Sequence, residues 1–193
     1  MNVGIYIYDN AEVLDFSGPF EVFSTAARVS KNPDLFHVYL IGETGDTVTA
    51  RAGFKVIPDY SIHNHSALDL LVVVGGVHTA EMEKNNVMAW LKQQRAQVAL
   101  TATVCTGIFL LAKATGLSNA KVTTHWEDIP DLRQQFPDLN VQENIRWVDE
   151  GNLVSSGGIS AGIDMSLHLV GRLHSRDLAE RTARQMEYDW NEG

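Results

Sequence analysis

Strand-like and helix-like segments alternate along this chain from end to end, and that alternation limits the fold more than any other feature. Val3–Tyr8, Phe36–Ile41, Leu68–Val74 and Val98–Val104 read as buried strands. Thr47–Ala50 and Phe54–Ile57 read as short strands turned by Gly53, and Lys121–Thr124 is short and extended. Ile145–Val148 and Leu153–Ser156 flank Asp149-Glu-Gly-Asn152, a hairpin turn signal. Helical spacing marks Pro19–Ser30, Val87–Gln97, Thr106–Ala114, Glu127–Phe136, Ala161–Leu173 and Leu178–Tyr188. Pro19 suits a first helical turn, Pro130 restricts where its helix starts, and Gly116 ends another. Strands alternating with helices predict an α/β fold, a doubly wound and mainly parallel sheet with helices on both faces. With 193 residues and no linker, repeat or low-complexity run, residues 1–193 are expected to form one domain.

The bulk chemistry narrows the class of partner. A formal net charge of -9 argues against nucleic acid or an anionic membrane and leaves a small molecule as the expected partner. The single cysteine excludes an intrachain disulfide. The start, MNVGIYIYDN, lacks the basic and apolar regions of a signal peptide, and the apolar runs are too short to span a bilayer. A cytoplasmic location is the expectation.

In open parallel sheets ligands sit at the carboxyl ends of strands. Three features fall there: Asp15, Gly75-Gly76 and Cys105. In Thr103-Val-Cys-Thr-Gly107 a buried strand passes through Cys105 into a helix, like a nucleophile elbow with Cys in place of Ser. A helix N-terminus there would favour thiolate over thiol. A small buried apolar residue is the competing reading, since free Cys is commonly buried. Gly75 and Gly76 either bring N–H groups to developing negative charge or merely allow a tight turn.

Asp15, just before the first predicted helix, is a proton carrier or a helix cap. If it lies near the thiol, mutual repulsion raises one of their pKa values. His125 is either a partner of the cysteine or structural, and Trp126 either walls a pocket or fills core. Phe16, Phe20 and Ile159 carry the same ambiguity. Gly157-Gly-Ile-Ser-Ala-Gly-Ile-Asp164 resembles a phosphate loop weakly, lacks a Walker lysine, and reads more simply as close packing against the elbow. Ser160 and Asp164 are expected to cap that helix and to complement its first turn. His63 and His65 lack a second ligand cluster with metal spacing and read as solvated residues, not a metal site; no cofactor is expected. Arg176, Asp177, Glu180, Arg181, Arg184 and Glu187 read as a charged helix face.

Taken in order, Leu14-Asp-Phe-Ser-Gly-Pro19, Val74-Gly-Gly76, Val104-Cys-Thr-Gly107, Thr123-Thr-His-Trp126 and the Gly157–Asp164 run resemble the ThiJ/PfpI superfamily, of the class I glutamine amidotransferase-like kind, over nearly the whole chain. The resemblance implies a flavodoxin-like sandwich and a homodimer. The branch most resembled is that of isocyanide hydratase and of similar domains fused to AraC-type regulators. Thr106 stands where the protease and amidase branch has His, which argues against peptidase activity.

For the hydratase branch, the resemblance implies that Cys105 attacks the isocyanide carbon to give a thioimidate. Asp15 would handle the proton, and Thr106 and the backbone around Gly76 and Ile159 would place the substrate. His125 and Trp126 are accessory candidates, with no acidic triad partner evident for His125. Two alternatives stay open. One is a ligand- or redox-sensing domain, against which the acidic charge and the end at Gly193 favour a stand-alone enzyme. The other is glyoxalase- or deglycase-like chemistry on small aldehydes, whose branches tend to have Glu at the Asp15 position.

Overall fold

The computed structural model describes residues 1–192. Its elements follow the predicted alternation. Strands β1 (Asn2–Tyr6), β2 (His37–Gly42), β5 (Tyr60–Ser61), β6 (Leu70–Val73), β7 (Leu100–Val104), β10 (Trp147–Asp149) and β11 (Leu153–Ser156) form one sheet in the order β10-β11-β7-β6-β1-β2-β5. Every pairing in it is parallel except the β10–β11 hairpin. Gly151 turns that hairpin at φ 81°. Two small ribbons lie outside the sheet: β3 (Val48–Thr49) with β4 (Lys55–Val56), and β8 (Lys121–Val122) with β9 (Asn140–Val141).

The helices are α1 (Val13–Ser30), α2 (Asn85–Gln97), α3 (Gly107–Thr115), α4 (Ile129–Gln135), α5 (Ala161–Leu173) and α6 (Arg176–Gln185). Helices α1, α5 and α6 pack on one another, and α2 packs on α3. From β1 the chain crosses to β2 in one direction, and from β6 to β7 in the other. Right-handed crossovers in opposite directions put α1 and α2 on opposite faces. Strands β1, β6 and β7 are buried almost throughout, with side chains such as Ile5, Leu71 and Val72 fully enclosed, as expected when both faces are covered.

Several boundaries differ from the sequence reading. Helix α1 begins six residues before Pro19, which therefore lies inside it. Proline has no N–H, so one internal hydrogen bond is missing there. Helix α6 ends at Gln185, and Glu187 adopts φ 50°. Gly116 does end α3, at φ 66°. The α6 face is charged as expected, with Arg176–Glu180 at 2.7 Å and Arg181–Asp177 at 2.9 Å.

Register sets the position of the site. Tyr6 pairs with Val73, Val73 with Thr103, and Val104 with Ser156. The carboxyl ends of β6, β7 and β11 therefore align, and Gly75, Cys105 and Gly157 emerge side by side. The strand order reverses direction between β1 and β6, which is where an open α/β sheet leaves a crevice.

Candidate active site

Cys105 occupies the left-handed region at φ 53°, which a non-glycine residue adopts only when its surroundings hold it there. Those surroundings are specific. The Cys105 N–H donates to Ser156 O and Gly157 O, both at 3.2 Å. Thr124 Oγ1 donates to Cys105 O at 2.9 Å. Below the elbow, a Cβ added to Gly107 would lie 2.1 Å from Val73 O, so only glycine lets α3 start this close to β6. On the other side, a Cβ on Gly162 would lie 2.9 Å from Val104 Cγ1, so the glycine run at the start of α5 packs against the strand leading to Cys105.

The Gly75-Gly76 pair forms the opposing wall. A Cβ on Gly75 would lie 2.5 Å from Thr106 N, and Gly76 adopts φ 140°. Their N–H groups do not point free into the cavity, contrary to the oxyanion expectation. Gly75 N–H donates to Asp15 Oδ2 at 3.0 Å, and Gly76 N–H donates to Thr106 Oγ1 at 3.0 Å. Thr106 Oγ1 in turn donates to Gly76 O at 3.0 Å. The pair clamps the elbow and orients a carboxylate. Gly76 and Thr106 still line the cavity with Cys105 and Ile159.

Asp15 lies in the first turn of α1, not before it, and is wholly buried. It makes no cap hydrogen bond, so the cap reading is set aside. Its Oδ1 is buried without a hydrogen bond among the described residues. Burial pushes its carboxyl up to about 7, and the charge of Glu12 adds to this. The Gly75 and Ile159 N–H groups and the Cys105 thiol work the other way.

The Cys105 thiol is also raised, well above its ordinary range, first by burial and then by the charge of Asp15. The Thr106 N–H lowers it only in part. This corrects the expectation of a thiolate at rest: desolvation and a neighbouring carboxylate outweigh the helix N-terminus. Burial and the neighbouring carboxylate therefore favour the thiol over the thiolate at Cys105.

A cavity of about 280 Å³ opens over Cys105, lined by Glu12, Arg51, Gly76, Thr106, His125, Glu127, Asp128 and Ile159. Ile159 adopts φ 54° and is partly exposed. His125 reaches this cavity because Gly158 has no side chain: a Cβ there would lie 1.9 Å from His125 Cδ2. His125 Nδ1 lies 3.5 Å from Asp128 Oδ2, so His125 has an acidic neighbour that sequence reading did not identify. Arg51, reaching in from the β3–β4 region, was also missed, as was Glu12.

Trp126 is 74% exposed and lines a second cavity of about 700 Å³, which adjoins the first at His125 and Ile159. Phe16 is buried in the core, and Phe20 faces a separate groove near Phe36. Neither reaches Cys105. Ser160 makes no capping hydrogen bond and instead accepts from Arg146 Nη2 at 3.3 Å. Asp164 is wholly buried, pairs with Arg146 and accepts the Asn191 N–H at 2.9 Å, so it ties α5 to two other segments. His65 accepts from Trp90 Nε1 at 2.8 Å. No helix among the described residues is long and apolar enough to cross a membrane.

Residues 1–172 match the DJ-1/PfpI family. The chain is similar to an isonitrile hydratase from Pseudomonas putida, at 30% identity over 97% of this chain and 78% of that protein. It is also similar to the HTH-type transcriptional regulator GbdR of Pseudomonas aeruginosa, at 28% identity over 97% of this chain. The chain spans about half (51%) of that regulator's length. A crystal structure of a ThiJ/PfpI family protein from Pseudomonas syringae superimposes with a TM-score of 0.86, covering 98% of this chain and 76% of that one at 24% identity. That likeness establishes a flavodoxin-like α/β fold.

Proposed function

The chain belongs to the DJ-1/PfpI family, and from that premise we propose that it is a cysteine-dependent enzyme on small molecules, hydrating isocyanides to N-substituted formamides. The observation that carries this reading is the pairing at the elbow. Cys105 is held at φ 53° on the cavity floor, beside a buried Asp15 carboxylate with one oxygen bonded to Gly75 and the other unpartnered.

A neutral thiol is a weak nucleophile, so the carboxylate must take its proton as attack begins. The sulfur then bonds to the terminal isocyanide carbon, and Asp15 passes the same proton to that carbon. The product is a thioimidate, R–N=CH–S–Cys105. An acid whose pKa lies near 7 suits both halves of that transfer. Water next adds to the imidate carbon, giving one proton to nitrogen through Asp15. Breaking the C–S bond then releases R–NH–CHO, and the remaining hydroxyl proton returns to the Cys105–Asp15 pair. The sum is one isocyanide plus one water. Thr106 and Gly76 hold the wall against which the substrate lies, Ile159 closes the apolar side, and the His125–Asp128 pair faces the site from the rim.

The test is formamide production from a simple aryl isocyanide by wild type, Cys105→Ala and Asp15→Asn. The reading expects turnover in wild type and none in either variant. Absence of turnover in the reduced wild type would sink it. A second reading, a ligand-sensing domain, rests on the likeness to transcriptional regulators and expects binding without turnover. Redox sensing is disfavoured by the burial and raised pKa of Cys105, since oxidation begins from an accessible thiolate. On the enzyme reading the protein is a cytoplasmic homodimer with a small-molecule partner.

A further inference from the structure

The cavity over Cys105 is unbalanced in charge. Glu12, Glu127 and Asp128 line it against one cationic side chain, Arg51. Arg51 Nε lies 3.7 Å from Glu12 Oε2, so those two charges largely cancel. Glu127 and Asp128 face the opening with His125 beside them, at 3.8 Å and 3.5 Å, and with His78 also acting on Asp128, but with no Lys or Arg among the described residues paired to either.

The adjoining cavity adds no free cation. Its Arg146 is bound to Asp164, and its Glu143 is bound to Arg133. Trp126, whose indole is largely exposed, precedes the two unbalanced carboxylates in the same short turn. Behind Cys105, the wholly buried Asp15 keeps Oδ1 without a hydrogen bond among the described residues.

We propose that the pocket over Cys105 selects positively charged electrophiles, on the hydratase reading an isocyanide whose substituent ends in an ammonium group, and disfavours those bearing a carboxylate. A cation entering the pocket meets two carboxylates in a cleft whose low-dielectric walls focus their field. An ammonium that extends into the adjoining cavity also gains from the face of Trp126. An anion meets the opposite field and adds charge beside Asp15. The substrate half of the proposal rests on the hydratase reading; the charge selection at Cys105 does not.

The experiment uses methanethiosulfonate reagents, one ending in ethylammonium and one in ethylsulfonate. Attack by Cys105 forms a mixed disulfide, expels methanesulfinate and releases the thiol proton to solvent. Cys105 is the one cysteine in the chain, so the rate reports a single position. The ratio of cationic to anionic rates, divided by the same ratio for a small neutral thiol, is expected to be about tenfold or more at low salt and to shrink at high salt. Glu127→Gln with Asp128→Asn is expected to bring it close to one.

A normalised ratio of one or less in wild type, or one unchanged by the double substitution, overturns the proposal. Kinetics with ammonium-bearing, neutral and carboxylate-bearing isocyanides separates the two claims. Turnover without the charge ratio leaves the hydratase and removes the selection. The charge ratio without turnover leaves the selection and removes the hydratase.

Discussion

Asp15 accepts the Gly75 N–H at 3.0 Å through Oδ2, and with the Glu12 N–H donating to Gly75 O at 2.9 Å this bond joins the start of α1 to the end of β6 beside Cys105. It fixes the carboxylate without neutralising it, and burial leaves the group with a pKa of about 7.

That value has a consequence for stability. The folded pKa lies above the unfolded value near 3.8, so the folded protein binds the extra proton between them. Stability from this group is full below about pH 4 and falls as pH rises through about 7. The total is on the order of 4 kcal/mol. Asp15→Asn removes the charge and keeps an acceptor for Gly75. Melting curves are expected to show the variant more stable than wild type at pH 8, with the gap closing towards pH 4. A gap independent of pH would contradict the assignment.

Activity should follow the same group with the opposite sign. On the proposed mechanism the carboxylate must be ionised to take the thiol proton, so kcat/KM rises with pH, with a midpoint near 7, and then levels off. A profile flat from pH 5 to 9 would remove Asp15 as the base.

The elbow makes a contrast between two glycines. Gly107→Ala places a methyl 2.1 Å from the Val73 carbonyl, a backbone atom that cannot step aside. A loss on the order of 3 kcal/mol or more is expected. Gly116→Ala meets open space and strains only its φ of 66°, at about 1 kcal/mol. Urea unfolding of the two variants measures the difference.

Thr106 clamps Gly76 through two bonds of 3.0 Å while nearly buried. Thr106→Val keeps the shape and strands both Gly76 groups, a loss of roughly 1–3 kcal/mol. Thr106→Ser should recover most of it. A loss in Thr106→Ser with none in Thr106→Val would show that the methyl, not the hydroxyl, holds the turn.

Gly158 gives the same kind of test for His125. A methyl at Gly158 displaces the end of a flexible ring, not backbone. Gly158→Ala should therefore fold with near wild-type stability yet lower turnover as His125→Ala does, with the double variant no worse. Additive losses would separate the two residues.

The sheet was legible because strands buried on both faces leave long apolar runs, as in Leu68–Val74, where Gly75-Gly76 then marks the turn. The start of α1 was misread because Pro19 looks like a first-turn proline, whereas tertiary packing holds it inside the helix. Cys105 and the glycine pair could be picked out because each directly follows a predicted strand, and Asp15 because it lies in the segment that joins the first strand to the first helix. Asp128 and Arg51 could not. Arg51 comes from a ribbon outside the sheet, and only the fold brings it to the cavity. Asp128 sits three residues after His125, a spacing that points inward only once the short turn at 126–128 is formed. The thiol's raised pKa was equally hidden, because the helix start is visible in sequence and the depth of burial is not.

The central claim is that Cys105 attacks the substrate with Asp15 holding its proton, and intact-protein mass spectrometry after rapid quenching tests it most directly. Wild type mixed with a neutral isocyanide should gain the mass of one isocyanide, localised to the peptide carrying Cys105, and lose it again as formamide appears. Cys105→Ala should show neither. Formamide formed at the wild-type rate by Cys105→Ala, or no adduct and no formamide with the reduced wild type, would contradict the account.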